Sequence, residues 1–307
     1  GTSTALSKGT APQWALDIEP VWSNGIKYEI VEHVIIRNNI ERGSEKGGFI
    51  NARGWYITYE NNTMENTIAM GETIGSIVRN NTFENPGNSV VAILAGMNDK
   101  RGYGNERNHS NEVYGNTIIG FDKGIFLQDP GIDLHSNTIT NCGSGIQILN
   151  TRDSKIRDNT IINETGGEGI SNKVSDYIDN VDIYNNIIKV NGSPFRFSSV
   201  NQDDATIGFK IIIRDNETTS LSNSSFNKIR GFDFKNNLCH NSGIRVVGSS
   251  KINVLSNTFE NGVIRISGGN SDLNFIENII TGGQCFYEDN SLDYAAVNIV
   301  KENNTCN

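Results

Sequence analysis

An Asn-anchored hydrophobic motif recurs about every 20 to 25 residues from Asn38 to the last residue. It reads Asn61-Asn62-Thr63-Met64, Asn80-Asn81-Thr82-Phe83, Gly115-Asn116-Thr117-Ile118, Ser136-Asn137-Thr138-Ile139 and Asp158-Asn159-Thr160-Ile161, and continues to Asn303-Asn304-Thr305. A sustained period of this length means a solenoid, and it is too short for most helical repeats. After each Asn comes a short β-branched or aromatic run, then a polar turn. A second run of the form Gly-Ile-x-hydrophobic follows, as in Gly124-Ile125-Phe126-Leu127 and Gly145-Ile146-Gln147-Ile148. Short strands between Asn, Gly and Ser turns, with no helical period, predict a single-stranded right-handed parallel β-helix of about 12 coils. The hand follows the general preference of parallel crossovers. Each repeating Asn is expected to adopt the left-handed turn conformation, to bond the turn backbone through its amide, and to stack as a ladder.

Composition fits such a chain. Hydrophobic residues are 36% of the 307 residues, enough for coils that each add a thin inward stripe, and 32 Gly against 5 Pro suits many tight turns between strands that keep their N–H donors. A net charge of −9 without a basic run argues against a nucleic-acid partner. No apolar stretch of roughly 18 residues is present, so no membrane span is expected. The cysteines Cys142, Cys239, Cys285 and Cys306 lie at different phases of the repeat and read as core-filling or turn residues, with Cys285 and Cys306 the one pair to check for a disulfide. His33, His109, His135 and His240 have no ligand spacing, so neither a metal site nor a cofactor is expected.

One elongated domain is expected over residues 1–307, with residues 1–36 forming a first coil that carries an Asp-x-Glu strand. Two long intervals place loop excursions at 95–112 and 191–210, because additional residues must leave a solenoid body. The first excursion holds Arg101, Tyr103 and Arg107, which suit ligand binding from a rigid scaffold or, equally, a solvated loop. The sequence ends where another coil should begin. A fragment of a longer protein, or an end covered by a neighbouring chain, is therefore expected.

The sharpest candidate for chemistry is Leu16-Asp17-Ile18-Glu19. Strand alternation turns Leu16 and Ile18 inward and projects Asp17 and Glu19 together, with Cα atoms about 7 Å apart. Carboxyl groups on such stems reach the range of about 5 to 9 Å used by glycosidases, and their mutual repulsion can set an acid beside a base. Aligning Ile50 and Ala52 with Leu16 and Ile18 puts Asn51 and Arg53 above this pair, with Glu72 near the same column and Trp14 and Trp55 at its border. The alternative is a solvated strand face. Further along, an outward column runs through Phe126 and Gln128, Gln147 and Leu149, Arg196 and Ser198, Arg245 and Arg265, residue types suited to an extended polymer. Asp129 either faces the same groove or serves a turn beside Pro130-Gly131.

The repeat resembles the pectate-lyase-like superfamily of right-handed parallel β-helix proteins. The segment Gly9-Thr10-Ala11-Pro12-Gln13-Trp14-Ala15-Leu16-Asp17-Ile18-Glu19-Pro20 is similar to stretches in bacteriophage tail-spike and appendage proteins. That resemblance implies an extracellular or virion-borne homotrimer that binds and cuts bacterial surface polysaccharide, as a glycoside hydrolase with Asp17 and Glu19 as catalytic residues. A binding-only adhesin is the alternative, as is a lyase using a base such as Arg53 or Lys173 with bound Ca²⁺. Asp203-Asp204 occurs without the companion motifs of polygalacturonases, and Asp129-Pro130 is followed by Gly131 where mannuronan epimerases carry His.

Overall fold

The computed structural model describes residues 14–18, 31–44, 47–71, 73–85, 87, 90–96, 110–128, 130–172, 178–200, 210–289 and 297–307. These residues form strands and turns, with no helix among them. Each coil gives one parallel strand to each of three faces. The first face runs from Leu16–Ile18 to Phe286–Asp289, the second from Ile35–Arg37 to Val297–Glu302, and the third from Ile40–Glu41 to Thr305–Cys306. The third face is a 12-stranded sheet with one strand per coil, so the solenoid makes about eleven turns. The 12-residue strand Ser224–Lys235 bends from the first face into the second and joins the two into one 23-stranded sheet.

The core is the stack of inward side chains from all three faces. Ile125, Ile146, Ile170 and Phe195 line the first, Val113, Leu134, Ile156 and Ile183 the second, and Ile118, Ile139, Ile161 and Ile188 the third, all essentially inaccessible. Cys239 occupies the same inward column of the third face as Phe259 and is buried, as is Cys142, which matches the core-filling reading of these two. Cys285 and Cys306 do not follow that reading. They form a disulfide with Cα atoms 5.6 Å apart, tying the start of the last first-face strand to the end of the chain.

The asparagine ladder is continuous from Asn39 to Asn304. At each step the backbone N–H and the side-chain Nδ2 of one Asn both donate to Oδ1 of the next coil's Asn. For Asn137 both distances to Asn159 are 3.0 Å, and Nδ2 also reaches the carbonyls of Val113 (2.9 Å) and His135 (3.0 Å). The two turn roles expected of one Asn are divided between neighbours. The ladder residue supplies the buried amide, whereas the residue before it takes the left-handed conformation, as Asn80 (φ 54°), Ser136 (φ 55°), Asp158 (φ 55°) and Glu277 (φ 57°) do. A position that asks only for positive φ and exposure accepts several polar residues. One that must fill a buried amide ladder accepts Asn.

Candidate functional site

The register of the first face decides which residues share its outward column, in which Ile50, Ala69 and Ser171 are nonetheless buried. Strand partners place Asp17, Ile50, Ala69, Leu94, Phe126 and Gln147 in one column. The column continues through Ser171, Arg196, Ser225, Arg245, Arg265 and Tyr287. Its second half opens into a groove of about 540 Å³. Arg196, Arg245, Arg265, Tyr287 and Asp289 give it charge and an aromatic surface, and Ser193, Asn223, Ser225 and Ser267 add hydroxyl and amide groups. The lining comes from five successive coils, so hydrogen-bonding groups recur at the strand spacing of about 4.8 Å.

The electrostatics of this column differ from those of the second face. There, Arg79, Arg157 and Arg214 each meet a carboxylate. Arg79 pairs with Glu60 at 2.6 Å, Arg157 forks onto Asp133 at 3.0 Å through two nitrogens, and Arg214 does the same to Asp182 at 3.1 and 2.8 Å. These bonds hold all three guanidinium groups above the usual arginine range, led for Arg79 by its bond to the Tyr114 hydroxyl. Arg214 also lies 4.1 Å from the Tyr184 ring centroid, and Tyr114 stacks on His135 at 4.8 Å. On the first face, Arg196 pairs with Glu168 of the preceding coil. Arg245 and Arg265 are exposed register partners, and neither forms an ion pair with any described residue. Arg265 lies 5.4 Å from the ring centroid of Tyr287, its neighbour in the next coil.

Of the residues singled out by sequence, Phe126, Gln147, Arg196, Arg245 and Arg265 fall on this column, and Gln128 follows the strand Lys123–Leu127 on the same face. Asp17 is exposed at the column's far end, seven coil steps from Arg196. Trp14 lies just before it, against Gly47, where any Cβ would meet the indole ring at 2.3 Å. The alignment of Asn51 and Arg53 above Asp17 is off by one residue. Asp17 pairs with Ile50 and Ile18 with Asn51, so Asn51 points inward, fully buried, accepting from the Gly54 N–H at 2.6 Å. A one-residue slip exchanges the two sides of a strand, and an Asn that closes a corner looks polar enough in sequence to be assigned outward. Arg53 lies in the turn after Phe49–Ala52, at φ 88°, and Trp55 in the short strand Gly54–Trp55, paired to Glu32. Glu19, Glu72, Arg101, Arg107 and Asp129 fall outside the described residues, as do Lys173, residues 97–109 of the first expected excursion and 201–209 of the second, whose earlier part is not a loop but carries the first-face strand Phe195–Val200. Tyr287, Asp289, Ser225 and Asn223 were not singled out by sequence reasoning. Tyr287 follows Gly282-Gly283-Gln284-Cys285-Phe286, where the Gly-Ile motif is absent, and only counting one coil on from Arg265 would have found it.

The fold and this outward column define a class, the parallel β-helix proteins with a groove along one sheet. Residues 17–206 match the NosD family, described as periplasmic copper-binding protein, and the chain belongs to that family. It is 29% identical over 156 residues to the uncharacterized protein YclG of Bacillus subtilis (strain 168), covering 50% of this chain and 27% of that protein. Among solved structures it is similar to the tailspike protein of Escherichia coli bacteriophage HK620 in complex with a pentasaccharide (TM-score 0.54, 13% identity, 77% of this chain and 51% of that one). A mutant of the same tailspike bound to a hexasaccharide matches with TM-score 0.53 and 15% identity over 78% of this chain and 51% of the other. The chain thus spans about half the length of the tailspikes and about a quarter of YclG.

Proposed function

We propose that this chain is a polysaccharide-binding β-helix that lays a glycan along the first-face groove. The observation that carries the reading is the open trough of about 540 Å³ built from five coils, whose guanidinium, hydroxyl, amide and phenol groups repeat in register. A site with a periodic lining suits a polymer with a periodic backbone. Bacterial surface polysaccharide outside the cell or in the periplasm is the proposed partner, on a virion appendage or on the producing cell. The Cys285–Cys306 disulfide supports an oxidising compartment. Assembly into a homotrimer belongs to the same proposal. Ile35 and Ile40, 60% and 70% exposed, supply apolar surface for it, and light scattering against a 33.7 kDa protomer tests it.

Hydrolysis of the bound glycan is the second reading, favoured by the exposed Asp17 on the same column, with Glu19 as its partner. Incubation with bacterial surface glycans separates the possibilities: new reducing ends mean hydrolysis, ultraviolet absorbance of an unsaturated sugar means a lyase, and retention without cleavage means binding alone. No retention of any such glycan would defeat the proposal. If Asp17 performs acid or base work, Asp17→Asn lowers turnover at least ~100-fold with retention unchanged.

The copper named in the family description does not fit the described residues of this chain. Soft copper ligands are Cys and Met, with His the usual nitrogen donor. Here Cys285 and Cys306 are bonded to each other, Met64 and Met70 are core, and His240 is taken by Glu260 at 2.7 Å. Among the described residues no three His, Cys, Asp or Glu side chains converge.

A further inference from the structure

We infer that the ligand of the first-face groove is a polyanionic glycan, one carrying carboxylate, sulfate or phosphate groups along its length, held by Arg245 and Arg265. The inference rests on the glycan-binding reading and adds the charge of the ligand. Three observations carry it. Arg245 and Arg265 are direct register partners on adjacent strands whose backbones lie about 4.8 Å apart, so like charges stand directly opposite each other, an arrangement that destabilises a bare protein. On the second face Arg79, Arg157 and Arg214 are each neutralised by a carboxylate of an adjacent coil or residue, and on the first face Arg196 by Glu168, while Arg245 and Arg265 have no such partner among the described residues. The chain carries a net charge of −9, which repels polyanions everywhere except where cations gather.

The geometry suits anions repeated along a chain better than a single ion. Arg196, Arg245 and Arg265 lie on one line that follows the solenoid axis, with Ser225 between the first two. Ser193, Asn223 and Ser267 add uncharged hydrogen-bonding groups beside that line, and Tyr287 closes one end with a face on which a sugar ring can rest. A guanidinium presents two parallel N–H groups that match the two oxygens of a carboxylate or sulfate.

The test uses three polymers of one backbone: dextran, carboxymethyl dextran and dextran sulfate. Affinity electrophoresis of the full chain should show retention by carboxymethyl dextran, dextran sulfate or both, weakening with added salt, and none by dextran. The choice between the two anionic polymers tells carboxylate from sulfate recognition. The double variant R245Q/R265Q should weaken retention roughly 10- to 100-fold, the scale of charge-assisted hydrogen bonds. The charge-matched control K189Q/K251Q should not. Since neither arginine supports the fold through an ion pair, the Tm of R245Q/R265Q should equal or slightly exceed that of the parent. Failure of both anionic polymers to bind, or equal binding by R245Q/R265Q, overturns the inference. Retention of a bacterial surface glycan that survives R245Q/R265Q would leave glycan binding standing and remove only the charge of the ligand. Retention of no glycan at all would remove both.

Discussion

The asparagines of the ladder and the buried thiols are where single residues decide the most. Asn137 and Asn257 each hold a backbone N–H and a side-chain amide in a stack that water does not reach. Replacing either by Ala leaves these groups unpaired at a cost of about 1 to 3 kcal/mol. Denaturant unfolding of N137A is expected to register that loss while retention of glycan stays unchanged; lost retention at unchanged stability would make the ladder a ligand site. Burial pushes the Cys142 thiol up to about 11 and the Cys239 thiol up to about 12. Because the thiolate is the reactive species, the native chain is expected to show no thiol titratable near pH 8 and the unfolded chain two. The ladder was legible in sequence because its chemistry is repeated twelvefold. The residue carrying the left-handed turn was not, because Asn, Ser, Asp, Gly and Glu all serve there.

At the scale of strands and faces, register governs what can be read. The column Phe126, Gln147, Arg196, Arg245, Arg265 follows from aligning Gly-Ile-x-hydrophobic motifs, and the strand pairing reproduces it. The first coils lack that motif, and there an inward Asn51 was read as outward. The second-face stack depended on contacts between coils that no single repeat displays: Tyr114 on His135, Arg157 on Asp133, Arg214 on Tyr184. Burial, with the Arg157 guanidinium next in importance, holds His135 below the usual imidazole range. The unfolded chain therefore takes up the proton first as pH falls. Stability carried by neutral His135 is complete above the ordinary imidazole range and declines as pH drops from there toward the lowered folded value. His135→Phe keeps the ring stack and removes the titration. Its Tm should fall less than the parent's between about pH 7.5 and about pH 5.5; an equal fall would assign the pH dependence to other groups.

The whole molecule is a one-dimensional stack in which each coil is stabilised by its neighbours, so disturbances stay local. The Cys285–Cys306 disulfide closes the last coil. Its removal in C285S/C306S should raise hydrogen exchange in Val297–Glu302 and Thr305–Cys306 and leave Thr117–Ile119 as it was; a uniform rise would mean that the coils unfold as one. The same locality separates Asp17 from the groove by seven coil steps along one column, so binding and any cleavage at Asp17 should be lost independently. The most direct measurement of the central claim is affinity electrophoresis of the parent, Y287A and D17N in gels cast with bacterial surface polysaccharide. The parent and D17N are expected to be retarded alike, and Y287A, which loses the aromatic end of the groove, to run as in a gel without glycan. Retardation of Y287A equal to the parent's, with loss in D17N, would contradict that claim and move the binding site to the first coil.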